Sequence, residues 1–221
     1  MNTESVSNSQ HQVWETCKSP ELSPESDLFV RVANGNDFET MVELEKEAWG
    51  DQQAAPASVI ATRLRTNPGC TIIAFAEESE LAVGFFTFVA TSEELVSDLR
   101  TWDYYAKLAN RPWESNEVHY GVSLTVSRKA PRGTGTCIMQ AAREYSKWLG
   151  AKRIIAVTRA PSFHRVQESM SFDQYYNLLL SGETKEPLYF LFCSAGWKLV
   201  GYCSNYYADP ESCDFGLHFE A

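Results

Sequence analysis

At 221 residues the chain is long enough for one sizeable domain, which by size alone buries about 70% of its unfolded surface, and 44% apolar with 13% aromatic residues excludes disorder for its body. A formal net charge of −10 argues against nucleic acid as a partner, because a phosphate backbone calls for clustered Lys and Arg. No apolar run approaches the ~20 residues that span a membrane, and Met1–Ser5 open a polar tract without the basic start and apolar core of a signal peptide, so the expectation is a cytoplasmic protein with no membrane partner.

Residues 1–26, rich in Ser, Glu, Asn and Gln, are expected to form a flexible tail, and residues 27–221 to form the domain. A strand at Phe29–Val32 leads, with Asn36 as an N-cap, into a helix carrying Phe38, Met41, Val42, Ala48 and Trp49 on one side. A second helix follows near Pro56–Arg65. Two apolar runs, Thr71–Ala76 and Leu81–Val89, read as a hairpin joined by the acidic turn Glu77–Glu80. The segment 91–116 is an aromatic-rich insertion with a helical cast, long enough to serve as a lid or wall.

A strand at Tyr120–Val126 then passes through small, flexible residues into a helix with Ile138, Ala141, Ala142, Tyr145, Trp148 and Leu149 on one face, closed by Gly150. Arg153–Thr158 is a short apolar run suited to a buried strand parallel to its predecessor. A second insertion with a helical middle spans 160–187, and Gly196–Tyr202 and Phe215–Phe219 read as two final antiparallel strands. Six cysteines, Cys17, Cys70, Cys137, Cys193, Cys203 and Cys213, show no C-x-x-C pair and no neighbouring histidine, which predicts no metal site, with Cys137 and Cys193 as buried thiols.

The loop Arg132-Gly133-Thr134-Gly135-Thr136-Cys137 has the form of a phosphate cradle. Glycine permits positive φ and close approach of backbone to a ligand, and the first turn of the following helix offers unpaired N–H groups with a partial positive charge. Arg132 is placed to add a charge-assisted hydrogen bond, and Arg128, Lys129, Arg143 and Lys147 raise the local positive charge of an acidic chain.

This loop resembles the Arg/Gln-x-x-Gly-x-Gly/Ala acyl-CoA signature of the GNAT acyltransferase superfamily, with Cys137 at the last small position. The order of elements over roughly residues 28–221 is similar to the GNAT fold. Thr101-Trp102-Asp103, Thr158-Arg159-Ala160-Pro161 with His164, and Tyr207 with Asp209-Pro210-Glu211-Ser212 resemble a subgroup of undefined substrate. The resemblance implies an α/β fold with a mixed, mostly antiparallel sheet, a splayed parallel pair of strands and flanking helices. It implies acetyl-CoA or another acyl-CoA as co-substrate, without metal, its thioester arm along Leu124, Thr125 and Val126 and its pyrophosphate at Arg132, Gly133, Thr134, Gly135, Thr136 and Cys137.

The implied activity is transfer of acetyl to the amine of a small molecule, by an N-acetyltransferase that is a monomer or homodimer. Such transfer uses a base for the amine and an acid for the departing thiolate. Glu117 and His119 are the base candidates, against plainer readings as a solvated strand end and a core histidine. The family's usual acid, a tyrosine, falls on Phe192, which leaves either another group, such as Tyr189, in its place or a reaction other than amine acetylation. A second reading, from Glu47-Ala48-Trp49, Thr101-Trp102-Asp103 and Thr158-Arg159, is similarity to GNAT-like loading domains of polyketide assembly lines. Decarboxylation or S-acyl transfer on thioesters, with a carrier protein as partner, would then draw on Thr125, Thr158, Arg159, His164 and Trp49 as donors. A third is an acyl-CoA-binding module without turnover.

Overall fold

The computed structural model describes residues 28–77 and 81–221. The tail at 1–26, Cys17 and positions 78–80 of the acidic turn lie outside the described residues. Seven strands form one sheet in the order β1-β2-β3-β4-β5-β7-β6. They are β1 (Leu28–Val32), β2 (Thr71–Ala76), β3 (Leu81–Thr91), β4 (Val118–Val126), β5 (Arg153–Arg159), β6 (Lys198–Cys203) and β7 (Gly216–Glu220). Neighbours are antiparallel except β4 and β5, which are parallel, as the crossover helix between them requires.

The period-2 alternation of the strands sorts the core into two layers. Ile73 and Phe85 point to one face, where α1 (Phe38–Gln53) and α2 (Ala57–Thr66) bury Met41, Leu44 and Ile60 against them. Their neighbours Ile72 and Phe86 point to the other, where α5 (Thr134–Trp148) and α7 (Pro187–Ser194) supply Ile138, Met139, Ala142 and Phe192. Between β3 and β4 the chain folds α3 (Glu93–Val96) and α4 (Trp102–Leu108), whose Tyr105 and Ala106 pack on Tyr120, Val122 and Ile155. Between β5 and α7 lies α6 (Phe172–Ser181), opened by a Ser171 capping box and closed by Gly182 in the left-handed region.

Three local expectations change, and one helix is kinked. The entry to α1 is a 3-10 turn at Gly35–Asp37 capped by Asn34, whose side chain accepts from the Asn36 backbone N–H at 2.9 Å, so Asn36 is the capped residue. An Asx side chain captures the N–H two residues on, which shifts the cap back by that distance. Trp148 is 54% exposed, because the last turn of α5 buries Tyr145 and Ser146 and leaves the indole beside the Tyr145 ring. Cys137 is buried as expected, whereas Cys193 is only half-buried, at the margin of the core that holds Phe192. α1 is kinked at Gly50 (φ 70), where its last three residues leave the axis of the preceding turns.

Candidate active-site cleft

The parallel pairing of β4 and β5 runs from Val118↔Arg153 to Gly121↔Ala156 and then stops, while β4 continues to Val126 alongside β3 alone. An extra residue, Val122, is bulged out of the β3 ladder at that point, and bulges of this kind re-aim a strand. Gly121 is required at the last paired position, since a Cβ there would meet Phe86 Cζ at 2.7 Å. The edge of β4 that faced β5 thereby opens, and Trp102 of α4 uses part of it by donating its indole N–H to the Val122 carbonyl at 2.8 Å.

The opening leads into a cleft of about 1020 Å³, including the part continuous with solvent. Its floor is Val122, Ser123 and Leu124 of β4 with Val157 and Thr158 of β5. Glu45 and Trp49 of α1 and Arg63 of α2 close one end, and Leu188 and Phe192 of α7 lie at another side. Tyr206, Tyr207 and Asp209, from the loop before β7, form the remaining wall. That loop is clipped to β5 by Arg159, which donates to both Asp209 oxygens at 2.7 and 2.8 Å and to Glu211 at 2.7 Å. Burial alone would raise the Asp209 carboxyl, but the Arg159 guanidinium and the Ser212 hydroxyl outweigh it and hold the group below the usual carboxylate range.

A polar network crosses the α1 end of the cleft. The Trp49 indole donates to Thr125 Oγ1 at 3.1 Å, and that hydroxyl donates to Glu45 Oε2 at 2.5 Å. Glu45 Oε1 accepts from the Ala55 backbone N–H at 3.1 Å. Two of the carboxylate's roughly four acceptor sites are thus taken, and the side chain is fixed with capacity to spare. Arg63 is buried nearby, and burial pulls its pKa below the ordinary arginine value, with Cys70 and Glu45 opposing the shift.

At the cradle, Gly133 adopts φ 89 and sets Thr134 as the first residue of α5, with Thr134 Oγ1 donating to the Pro131 carbonyl at 2.7 Å. Arg132 stands exposed at this end. Gly135 has a packing role: a Cβ there would lie 2.7 Å from Leu191 Cδ1, so its absence lets α7 pack on the first turn of α5. Thr136 is buried and Cys137 is buried in the core, so a compact side chain is what the position demands. Glu47 of α1 braces the loop ahead of the cradle, accepting from Ser127 Oγ at 2.9 Å and from the Arg128 N–H at 3.1 Å. The left-handed Gly133 and the exposed Arg132 at a helix N-terminus, together with the free edge of β4, fit a polyanionic thioester whose arm enters the splay.

Of the residues named from sequence, Leu124 and Thr158 line the cleft, Thr125 lies buried beneath it as the anchor for Glu45 and Trp49, and Val126 packs toward α5. His119 is set apart from it, fully buried on the α5 side. Its Nδ1 lies 2.7 Å from Ser146 Oγ, its Nε2 2.7 Å from Asn116 Oδ1, and its ring stacks on Phe88 at 4.3 Å. Burial lowers its pKa to about 4. Glu117 is also outside the cleft, in an exposed ion pair with Lys152 at 2.8 Å that holds its carboxyl below the usual range. Tyr189 turns away, because Leu188 and Phe192, one helical turn apart, are the α7 residues that face inward, and burial raises its phenol. His164 sits outside on an exposed 3-10 turn, its Nδ1 2.5 Å from the Pro161 carbonyl. Among the described residues no His, Cys, Asp or Glu cluster is arranged for a metal ion, and no helix is long and apolar enough to cross a membrane.

Glu45 and Arg63 escaped sequence reasoning, although both leave a trace. Met41, Glu45 and Trp49 recur at i+4, which puts a carboxylate in the middle of a buried stripe, and Arg63 follows Ile60 at i+3 on α2.

No protein-family model and no curated protein matches this chain. Solved structures do. The GNAT-like decarboxylase GphF, in complex with isobutyryl-CoA, superposes with a TM-score of 0.71 at 16% identity, over 86% of this chain and 97% of that one. The loading GNATL domain of CurA from Lyngbya majuscula gives a TM-score of 0.64 at 16% identity, over 87% and 96%. A GNAT-family acetyltransferase from Bacillus anthracis gives 0.54 at 13%, over 90% and 96%. The mixed sheet with its single parallel pair agrees with these likenesses, and the chain has the fold of the GNAT superfamily.

Proposed function

We propose that the protein is an acyl-CoA-dependent acyltransferase that moves an acyl group, acetyl in the simplest case, from the thioester to a small-molecule amine. The observation that carries this reading is the Glu45 carboxylate, held by Thr125 and the Ala55 N–H at the cleft end of the splay. A thioester lying along Leu124 on the open edge of β4 presents its carbonyl to this end of the cleft. A buried carboxylate there attracts an ammonium, accepts the proton it must lose, and leaves the free amine to attack. The C–N bond forms, the C–S bond breaks, and the thiol of pKa about 8.5 leaves as a thiolate that needs no strong acid, which suits Phe192 in place of a tyrosine. Trp102, Trp49 and Phe86 give the site apolar walls that limit hydrolysis.

The second reading is decarboxylation of, or S-acyl transfer from, a thioester, with a carrier protein as its partner. It is favoured by the TM-scores of 0.71 and 0.64 to the GNAT-like decarboxylase and loading domain. One experiment separates them: purified protein with acetyl-CoA and a panel of primary amines, followed by free thiol and N-acyl product, and in parallel with malonyl-CoA, followed by carbon dioxide. N-acyl product supports amine acylation. Carbon dioxide without N-acyl product replaces it with the second reading, and saturable acetyl-CoA binding with neither product leaves a binding module.

A further inference from the structure

Among the described residues Arg63 is the one Lys or Arg that is buried, with 6% of its surface exposed, and it lines the inner end of the cleft. Among those residues no carboxylate lies within ion-pairing distance of it, in contrast to Arg159 on the other wall, which holds Asp209 and Glu211. Its Nη2 donates to the Ala106 carbonyl at 3.3 Å, and its Nε–H is sealed from solvent without an acceptor among them. A guanidinium cannot escape burial by losing its proton as a lysine can, and an unpaired buried ion costs several kcal/mol. The nearby Glu45 acts on it through space but makes no ion pair with it, since its oxygens are turned to Thr125 and Ala55. A cleft that keeps a carboxylate and an unpaired guanidinium at the same end complements a molecule bearing one positive and one negative group.

We infer that the acceptor is an amino acid, with its amine at Glu45 and its carboxylate paired to Arg63. The inference rests on the amine-acylation reading and names its substrate class. The Trp49, Trp102 and Tyr207 walls of the cleft suit an apolar or aromatic side chain.

The test compares phenylalanine, phenylalaninamide and 2-phenylethylamine as acceptors with acetyl-CoA, read as initial rates of N-acetyl product. The expected result is a kcat/KM for phenylalanine about 10- to 150-fold above both analogues that lack the carboxylate, carried in KM, the factor that a charge-assisted hydrogen bond to a carboxylate supplies. In Arg63→Met that ratio falls to within about threefold of one, and Arg63→Lys restores part of it by keeping the charge while losing the bidentate geometry. Equal use of all three acceptors, or preference for the amine, overturns the carboxylate anchor while amine acylation stands. No N-acetyl product from any of them, with acetyl-CoA bound, overturns the proposed function and the inference with it. The wild-type comparison is decisive by itself if the variants do not fold.

Discussion

Along β4, Val118 to Gly121 run in parallel register with β5, whereas Val122 to Val126 keep only β3 as a neighbour. The paired half is closed: His119 has a partner on each ring nitrogen and an aromatic ring stacked on it, and its surroundings favour the neutral form. The splayed half keeps the same extended backbone but directs Thr125 toward α1, where its hydroxyl orders Glu45 and Trp49 at the edge of a cleft. Two polar side chains six residues apart on one strand thus serve opposite ends, His119 the packing and Thr125 the site. What separates them is the loss of a neighbouring strand, which frees main-chain groups and makes space for a ligand.

The sharpest way to break this contrast is in the splayed half. Glu45→Gln preserves size and an acceptor for Thr125 but removes the proton acceptor, and should lower kcat/KM for amine acylation by about 10²- to 10⁴-fold with little change in melting temperature. A fall of less than about threefold in a folded variant would take that role away from Glu45.

The paired half predicts a pH effect on stability rather than on activity. The folded-state pKa of His119 is lowered from 6.5 to about 4, so the histidine contributes stability that is full above about pH 6.5 and is lost as pH falls toward 4. At 1.36 kcal/mol per unit this amounts to ~3 kcal/mol. Denaturant unfolding of wild type and His119→Gln between pH 7 and 4 should show the pH slope reduced in the variant. Parallel slopes would mean that His119 titrates normally in the folded protein.

Arg132→Ala tests the cradle, and calorimetric titration with acetyl-CoA should show binding weakened by about 1.5 to 3 kcal/mol, nearer the lower figure because Arg132 is exposed. Unchanged affinity would move the phosphate contacts elsewhere on the loop. The boundary between the two halves is the last target. Gly121→Ala drives a methyl group against Phe86, whose ring is packed in the core, and should cost about 1 to 3 kcal/mol in unfolding free energy. A neutral substitution would show that the floor of the cleft yields.

Several elements are legible in the chain because their signals are local. The apolar runs of β2, β3 and β5, the amphipathic face of α5, and the strand, small-residue loop and helix at the cradle all declare themselves within a few residues. Gly150, at φ 86 just after α5, also reads correctly from the residues around it. The site is less legible. Glu117 lies just before β4 and His119 within it, and both carry titratable groups, yet composition does not show the side to which either points. Gly135 reads as room for a ligand, and Leu191, more than fifty residues away, is what uses that room.

The order of strands and helices, the small-residue cradle and the aromatic walls are written in the linear chain, since they follow from periodicity and from residue volume over short windows. Which polar groups meet is a matter of packing. Thr125, Glu45 and Trp49 converge from positions up to 80 residues apart, and Arg63 reaches the cleft from a different helix, because the sheet packs α1 and α2 against the face of β4 that the splay leaves open. Burial, and with it the state of charge of His119 and the unpaired guanidinium of Arg63, is a property of the assembled layers, of which the local spacing carries no more than a trace.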